Sequence, residues 1–165
     1  MNYFYWDASA LGKRYTPEPG RALVNCLFAR APRDRVGALY IALGELVSIL
    51  VRRHNGGAID DADFAFAMGV LRTEIVDAAD FPLRTVTNGL VRASLLLIEI
   101  HSLNATDALI LRSAVDAAGE LRARGDDLVL IASDNRLIAA TQAEGLVTFN
   151  SEAQEQAELD ALLSA

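Results

Sequence analysis

The feature that most constrains this chain is the alternation of short apolar segments with longer segments whose apolar residues recur every three or four positions. The short segments have the length and composition of β-strands. They are Asn2–Trp6, Val36–Leu39 and residues 83–86, 128–132 and 146–148. Strands that alternate with helices form a parallel sheet covered by helices on both faces. We therefore predict an α/β fold, a three-layer α/β/α arrangement with a central parallel sheet.

Capping residues predict where two of the helices begin. Thr16 followed by Pro17 is typical of a helix start, and this helix is predicted to continue to about Arg30. Ser151, with Gln154 three positions later, predicts a capping box at the start of a C-terminal helix. Both predictions rest on local pattern alone.

The composition indicates one globular domain over residues 1–165. Apolar residues make up 52% of the chain and charged residues 22%, which excludes a disordered chain. The longest apolar stretch, residues 40–51, is too short for a membrane span and contains Glu45. Cys26 is the only cysteine, so no internal disulfide can form and a cytoplasmic location is predicted. The net charge of −7 is unusual for a protein that binds nucleic acid.

Two aspartates follow predicted strands. Asp7 comes directly after the strand that ends at Trp6, and Asp134 comes shortly after the apolar run of residues 128–132. Ligands bind beyond the carboxyl ends of the strands in folds of this class, so we expect both carboxylates at that edge of the sheet. Each aspartate also precedes a predicted helix, and capping of that helix is the alternative explanation for each.

Two further acids lie in apolar helical segments. Glu45 is in the middle of its helix, and Asp107 is near the start of another. A buried carboxylate requires a partner, so Glu45 needs either an arginine in a salt bridge or a bound cation. Interaction with the helix dipole is the alternative explanation for Asp107. If the four acids converge, their mutual repulsion requires a cation, and an all-oxygen ligand set favours Mg²⁺ or Mn²⁺ over Zn²⁺.

The segments around these acids resemble, in order and spacing, the four signature segments of PIN domains. They are Asp-Ala-Ser-Ala-Leu-Gly-Lys-Arg-Tyr at Asp7, Gly-Glu-Leu-Val-Ser-Ile-Leu-Val-Arg-Arg at Glu45, Thr-Asp-Ala-Leu-Ile-Leu at Asp107 and Ser-Asp-Asn-Arg-Leu-Ile-Ala-Ala-Thr at Asp134. The size and the Phe149-Asn150 ending resemble VapC-type toxins of bacterial toxin–antitoxin pairs. Two positions depart from the family pattern: Trp6 is more often aliphatic or tyrosine there, and Ser151 replaces the usual proline.

The resemblance implies a PIN-like fold and a Mg²⁺- or Mn²⁺-dependent endoribonuclease that leaves 5′-phosphate and 3′-hydroxyl ends. It implies that Asp7, Glu45 and Asp107 are the central catalytic acids and metal ligands, and that Asp134 binds metal directly or through water. Ser9 and Ser133 match supporting positions beside the first and fourth acids. The implied partners are the RNA substrate, a VapB-like antitoxin and a second copy of the chain in a homodimer.

Four basic residues near these acids are candidates for RNA contacts, with ordinary solvated charge as the alternative explanation. They are Lys13, Arg14, Arg52 and Arg136. Two alternatives to a toxin remain open: a PIN fold that acts as a non-catalytic binding module, and a PIN nuclease that processes RNA. Mn²⁺ binding separates the first alternative from an enzyme, and an antitoxin reading frame directly upstream favours the toxin.

Overall fold

The computed structural model describes all 165 residues and contains a five-stranded sheet in which every strand pair is parallel. The strands are β1 (Asn2–Trp6), β2 (Val36–Leu39), β3 (Leu83–Arg84), β4 (Asp127–Ile131) and β5 (Val147–Phe149). Their order across the sheet is β3-β2-β1-β4-β5, so the strand order reverses between β1 and β4. A crevice at the carboxyl ends of the strands is expected at this reversal.

Eight α-helices cover the two faces of the sheet. They are α1 (Ala8–Leu11), α2 (Arg21–Arg30), α3 (Tyr40–Asn55), α4 (Asp61–Leu71), α5 (Asn88–His101), α6 (Ala105–Arg122), α7 (Asn135–Ala143) and α8 (Gln156–Ser164). Successive residues of β1 contact opposite layers, as the pleat of a strand requires. The Tyr5 hydroxyl forms a 2.7 Å hydrogen bond with Ser113 of α6, whereas Trp6 packs on Phe28 of α2 with ring centroids 6.1 Å apart. The predicted three-layer α/β/α fold is confirmed.

Burial on both faces explains why apolar and polar residues do not alternate along β2 and β4. All four residues of β2 and the last four of β4 are buried, because helices cover both faces of a parallel sheet. Apart from Gly37, these residues belong to one cluster of 40 buried apolar residues. No single helix is long and apolar enough to cross a membrane. By length and composition alone, α5 and α6 pass that test together as a pair bent by 111°.

The start of α2 differs from the prediction. The helix begins at Arg21, because Gly20 adopts a left-handed conformation with a φ of 81° and separates it from the preceding turn. Thr16 serves that preceding turn instead, and its hydroxyl donates a hydrogen bond to the Gly12 carbonyl at 3.0 Å. The predicted start at Thr16 was therefore wrong.

The capping box of α8 also lies elsewhere. It is formed by Glu155 and Glu158, and the Glu158 carboxylate accepts a hydrogen bond from the Glu155 backbone N–H at 2.7 Å. The Gln154 side chain accepts instead from the backbone N–H of Asn150 at 2.8 Å, within a turn that precedes the helix. The box predicted from Ser151 and Gln154 was wrong, because an equivalent acidic pair four positions later caps the helix.

We expect Gly20→Ala to lower the free energy of unfolding by about 2–4 kcal/mol, whereas Gly125→Ala should cost only about 1 kcal/mol. Both glycines have a positive φ, 81° and 84°. A Cβ atom at Gly20 would lie 2.6 Å from the Ser151 carbonyl oxygen, while nothing lies within 4 Å of one at Gly125. Urea unfolding of the two variants measures the difference. Equal losses would show that the segment after β5 is not packed against the start of α2.

Candidate active site

The two aspartates at the strand ends lie on neighbouring strands. Asp7 follows β1, and its backbone N–H donates to the carbonyl of Ile131 in β4 at 2.9 Å. Asp7 and Asp134 also cap the helices that follow them, α1 and α7. Asp134 accepts hydrogen bonds from the backbone N–H groups of Arg136 and Leu137 at 2.8 and 3.0 Å. The capping explanation is therefore correct for both aspartates, and it is compatible with a role at the sheet edge.

Glu45 and Asp107 come from α3 and α6. Glu45 is half-buried, and the neighbouring Thr106 side chain opposes the rise of its pKa. It forms no salt bridge, so the arginine partner considered from the sequence is not present. Asp107 accepts a 2.8 Å hydrogen bond from the Asn104 side-chain amide, and its backbone N–H donates to the Asn104 side-chain oxygen at 2.9 Å. Asn104 thus caps α6 and orients Asp107.

The four acids line one pocket of about 340 Å³ at the carboxyl edge of the sheet. Each is supplied by a different element: Asp7 by the end of β1, Glu45 by α3, Asp107 by α6 and Asp134 by the end of β4. The other lining residues are Ala8, Ser9, Ser48, Ile49, Arg52 and Asn104. Residues separated by more than one hundred positions in the sequence therefore share one concave, acid-rich surface.

Burial and mutual repulsion raise the pKa values of three of these acids. Burial raises the pKa of Asp7, the hydrogen bonds from Ser9 oppose that rise, and Asp134 adds to it. Burial also raises the pKa of Glu45, and the charge of Asp7 raises it further. The pKa of Asp107 rises to about 7 through burial and then through the charges of Asp7, Asp134 and Glu45. A cation among these carboxylates would reverse the shifts, because it stabilises their ionised forms.

Two serines connect the two strand ends. The Ser9 hydroxyl donates to the Asp7 carboxylate and accepts a 2.9 Å hydrogen bond from the backbone N–H of Ser133. The Ser9 backbone N–H donates to the same Asp7 oxygen at 2.9 Å. Ser9 therefore fixes the orientation of the Asp7 carboxylate. The Ser133 hydroxyl is buried and has no hydrogen-bond partner in the chain, which leaves a polar atom beside the site that a ligand or a water molecule can satisfy.

The residues fit a metal ion that is held partly through water. No group of three His, Cys, Asp or Glu side chains is arranged so that it could hold a metal ion directly. Mg²⁺ usually keeps several water ligands and binds one or two carboxylates, so a closed protein cage is not required. The all-oxygen donors, the raised pKa values and the unpartnered Ser133 hydroxyl agree with such an ion.

Of the four predicted RNA contacts, only the two arginines nearest the acids are without ion-pair partners. Arg52 is exposed and lines both the acidic pocket and an adjoining pocket of about 450 Å³. Arg136 is exposed, and its positive charge lowers the pKa of Asp107, against the larger effects that raise it. Lys13 is 2% exposed and paired with Glu152. This burial is contrary to the prediction that Lys13 contacts RNA.

Arg14 is also occupied by other contacts. Its guanidinium forms a two-point ion pair with the Glu74 carboxylate and lies 4.1 Å from the centre of the Phe28 ring. These contacts join the segment after α1 to the segment after α4, so Arg14 has a structural role. The sequence argument missed Asn104 and Thr106, although an Asn three positions before Asp107 at a helix start is itself a capping signal.

Comparisons with known proteins support the fold and no closer relationship. No family model matches the sequence, and no curated protein matches it. The crystal structure of PAE2754 from Pyrobaculum aerophilum matches with a TM-score of 0.62 and 20% identity, over 100% of both chains. The structure of FitAB bound to an IR36 DNA fragment matches with a TM-score of 0.64 and 12% identity, over 93% of this chain and 98% of that chain. Identities this low show the fold alone, which is the PIN-like three-layer arrangement.

Proposed function

We propose that this protein is a Mg²⁺- or Mn²⁺-dependent endoribonuclease that hydrolyses RNA phosphodiester bonds. One observation carries the proposal: Asp7, Glu45, Asp107 and Asp134 come from four elements and line one pocket. None of the four pairs with a basic side chain. Gathering unpaired acids costs stability, and perturbed acids in a pocket are typical of functional sites. The cost is compensated if the acids hold a cation.

The roles of the residues follow from their positions. A bound Mg²⁺ or Mn²⁺ would activate a water molecule and would stabilise the negative charge that develops on the phosphate. Asp7, Glu45 and Asp107 are the acids whose pKa values are raised, and they would hold the ion partly through water. Ser9 keeps the Asp7 carboxylate in one orientation. Exposed Asp134 would act directly or through water.

Water and the RNA are the only reactants in this hydrolysis. The oxygen of water forms a bond to phosphorus, the bond from phosphorus to the 3′-oxygen breaks, and that oxygen takes up a proton. The products are a 5′-phosphate and a 3′-hydroxyl. The ribose 2′-hydroxyl takes no part, so no 2′,3′-cyclic phosphate forms.

We further propose that the enzyme is the toxin of a VapBC-type pair and acts in the cytoplasm. Its partners would be a VapB-like antitoxin that covers the acidic pocket and a second copy of the chain. The support is the resemblance of the four acid-containing segments to PIN signature segments, together with the PIN-like fold. A PIN nuclease of RNA processing has the same site, and the identity of the cleaved RNA distinguishes the two functions.

The test of this function is a map of newly formed RNA 5′-phosphate ends in cells that briefly express the wild type or Asp7→Asn. We expect discrete new ends with the wild type alone, and their sequences name the substrate. The same ends with both proteins, or wild-type ends that carry a 2′,3′-cyclic phosphate on the upstream fragment, would contradict the proposal. Equal expression and folding of both proteins is the necessary control.

We expect Arg52→Gln and Arg136→Gln each to weaken RNA binding about three- to tenfold at low salt. Each change should also reduce the slope of log affinity against log salt concentration by about 0.7, since one phosphate contact is lost. Arg72→Gln is the matched control, because Arg72 is exposed and lines neither the acidic pocket nor the adjoining one. Filter binding with a catalytically inactive variant measures the effect. If the salt slope is unchanged in both variants, these arginines do not contact RNA phosphates.

A further inference from the structure

A second pocket lies at the opposite edge of the sheet from the four acids. It has a volume of about 200 Å³ and lies between the amino-terminal parts of β1 and β2 and the last turns of α6. It shares no residue with the acidic pocket. Tyr3 in this pocket and Asp7 in the acidic one are four residues apart along the extended chain, which is about 13 Å. The two pockets are therefore separate.

Two small residues leave the space in this second pocket unfilled. Gly37 of β2 is the register neighbour of Tyr5, whose hydroxyl contacts α6, so Gly37 faces α6 without a side chain. A Cβ atom at Gly37 would lie 3.0 Å from the Pro82 carbonyl oxygen, and this close approach favours glycine. On the helix side, Ala117 contributes only a methyl group. The buried apolar residues of the wall include Val36, Leu121 and Leu128.

One positive charge of the pocket lining has no counter-charge. Arg35 is half-buried and forms no salt bridge. The other two arginines of the lining are paired. Arg84 donates two hydrogen bonds to Glu120, at 3.0 and 2.6 Å. Arg124 lies 3.2 Å from the Asp126 carboxylate. Only the Arg35 guanidinium is therefore available to pair with an anion.

The size, the wall and the charge of the pocket define the chemistry of a ligand. A volume of about 200 Å³ is below the range of about 300–1,000 Å³ for pockets that hold drug-sized ligands, so the ligand is small. One unpaired guanidinium matches one carboxylate, which it can bind through two parallel hydrogen bonds. The apolar wall favours a hydrocarbon body over inorganic phosphate, which would lose its water there. Asp34 also lines the pocket, but it is exposed, so solvent screens its charge more than that of Arg35.

We propose that this pocket binds a compact organic monocarboxylate, with its carboxylate on Arg35 and its apolar part between Gly37 and Ala117. Such a ligand would contact both the sheet and α6, the helix that carries Asp107 in its first turn. The proposal does not depend on nuclease activity, because no acid of the candidate active site lines this pocket.

Benzoate is the probe for this pocket, and benzamide, which has the same size and no charge, is its matched control. Isothermal titration calorimetry, with chelator present, measures both. We expect the wild type to bind benzoate about tenfold or more tightly than benzamide, because only benzoate forms the charged hydrogen bonds with Arg35. Arg35→Gln should weaken benzoate binding about tenfold or more and leave benzamide binding unchanged. Ala117→Leu should weaken the binding of both, because the larger side chain occupies part of the pocket.

Arg72→Gln is the matched control for Arg35→Gln, because Arg72 is also without a salt bridge but is exposed and lies outside the pocket. The proposal is overturned if the wild type binds benzoate more weakly than about 10 mM. It is also overturned if benzamide or inorganic phosphate binds as tightly as benzoate, or if folded Arg35→Gln binds benzoate like the wild type. Absence of RNA cleavage in a protein that binds benzoate would concern the proposed function alone. The two proposals therefore fail separately.

Discussion

Asp7→Asn lowers the rate of RNA cleavage by about a thousandfold or more while the protein stays folded, if the acidic pocket is the active site. Asp7 is the most deeply buried of the four acids, at 4% exposure, and the sheet fixes its position through the hydrogen bond from its N–H to Ile131. Asparagine keeps a side-chain oxygen that can accept from the Ser9 N–H, so the cap of α1 persists. The charge needed to hold a cation is lost.

The matched control is Asp60→Asn, which makes the same change at another helix cap. Asp60 caps α4 and accepts a 2.8 Å hydrogen bond from the Asp63 N–H, but it does not line the acidic pocket. Cleavage of an RNA found by end mapping, with purified proteins and excess Mg²⁺, measures both rates. If the rate for Asp7→Asn is within tenfold of the wild-type rate, the pocket is not the active site. The same conclusion follows if Asp60→Asn lowers the rate as much as Asp7→Asn does.

The second large effect is a metal-dependent gain in thermal stability that disappears on acidification. The pKa of Asp107 rises from 3.8 to about 7 in the folded protein. Between these values the folded state binds more protons than the unfolded state, so its stability falls as the pH rises through about 7. Without metal, the wild type should therefore lose more stability than Asp107→Asn between about pH 5.5 and about pH 8.

A bound cation reverses this dependence, because it competes with protons for the same carboxylates. At about pH 8, Mn²⁺ at one hundred times its dissociation constant should stabilise the wild type by about 2.7 kcal/mol, or by about 5–10 °C in Tm. The gain should be small at about pH 5.5 and in Asp107→Asn. Differential scanning calorimetry with and without chelator measures it. No Mn²⁺ effect at the higher pH would favour the non-catalytic binding module over an enzyme.

The sequence by itself determined the elements and the edge of the sheet where the aspartates lie. Residues 36–39 and 128–131 carry no polar side chain, because both faces of these strand segments are buried, and that requirement is visible in the local sequence. The capping roles of Asp7 and Asp134 are also visible in the local sequence, because a capping side chain accepts hydrogen bonds from backbone N–H groups within three residues of it. At Thr16 and Pro17 the local pattern predicted the helix start wrongly, because α2 begins only after Gly20.

Only the tertiary structure decided which charged side chains are paired and which are available. Lys13 is six residues from Asp7 in sequence, yet its partner Glu152 is 139 positions away, and that contact removes Lys13 from the surface. Glu45 lacks the salt bridge that its sequence context allowed, and it joins Asp107 in one pocket. Local pattern cannot encode these outcomes, because they depend on how α3 and α6 pack on the sheet. Burial and long-range charge arise from contacts between distant segments, and they exist only once the chain is folded.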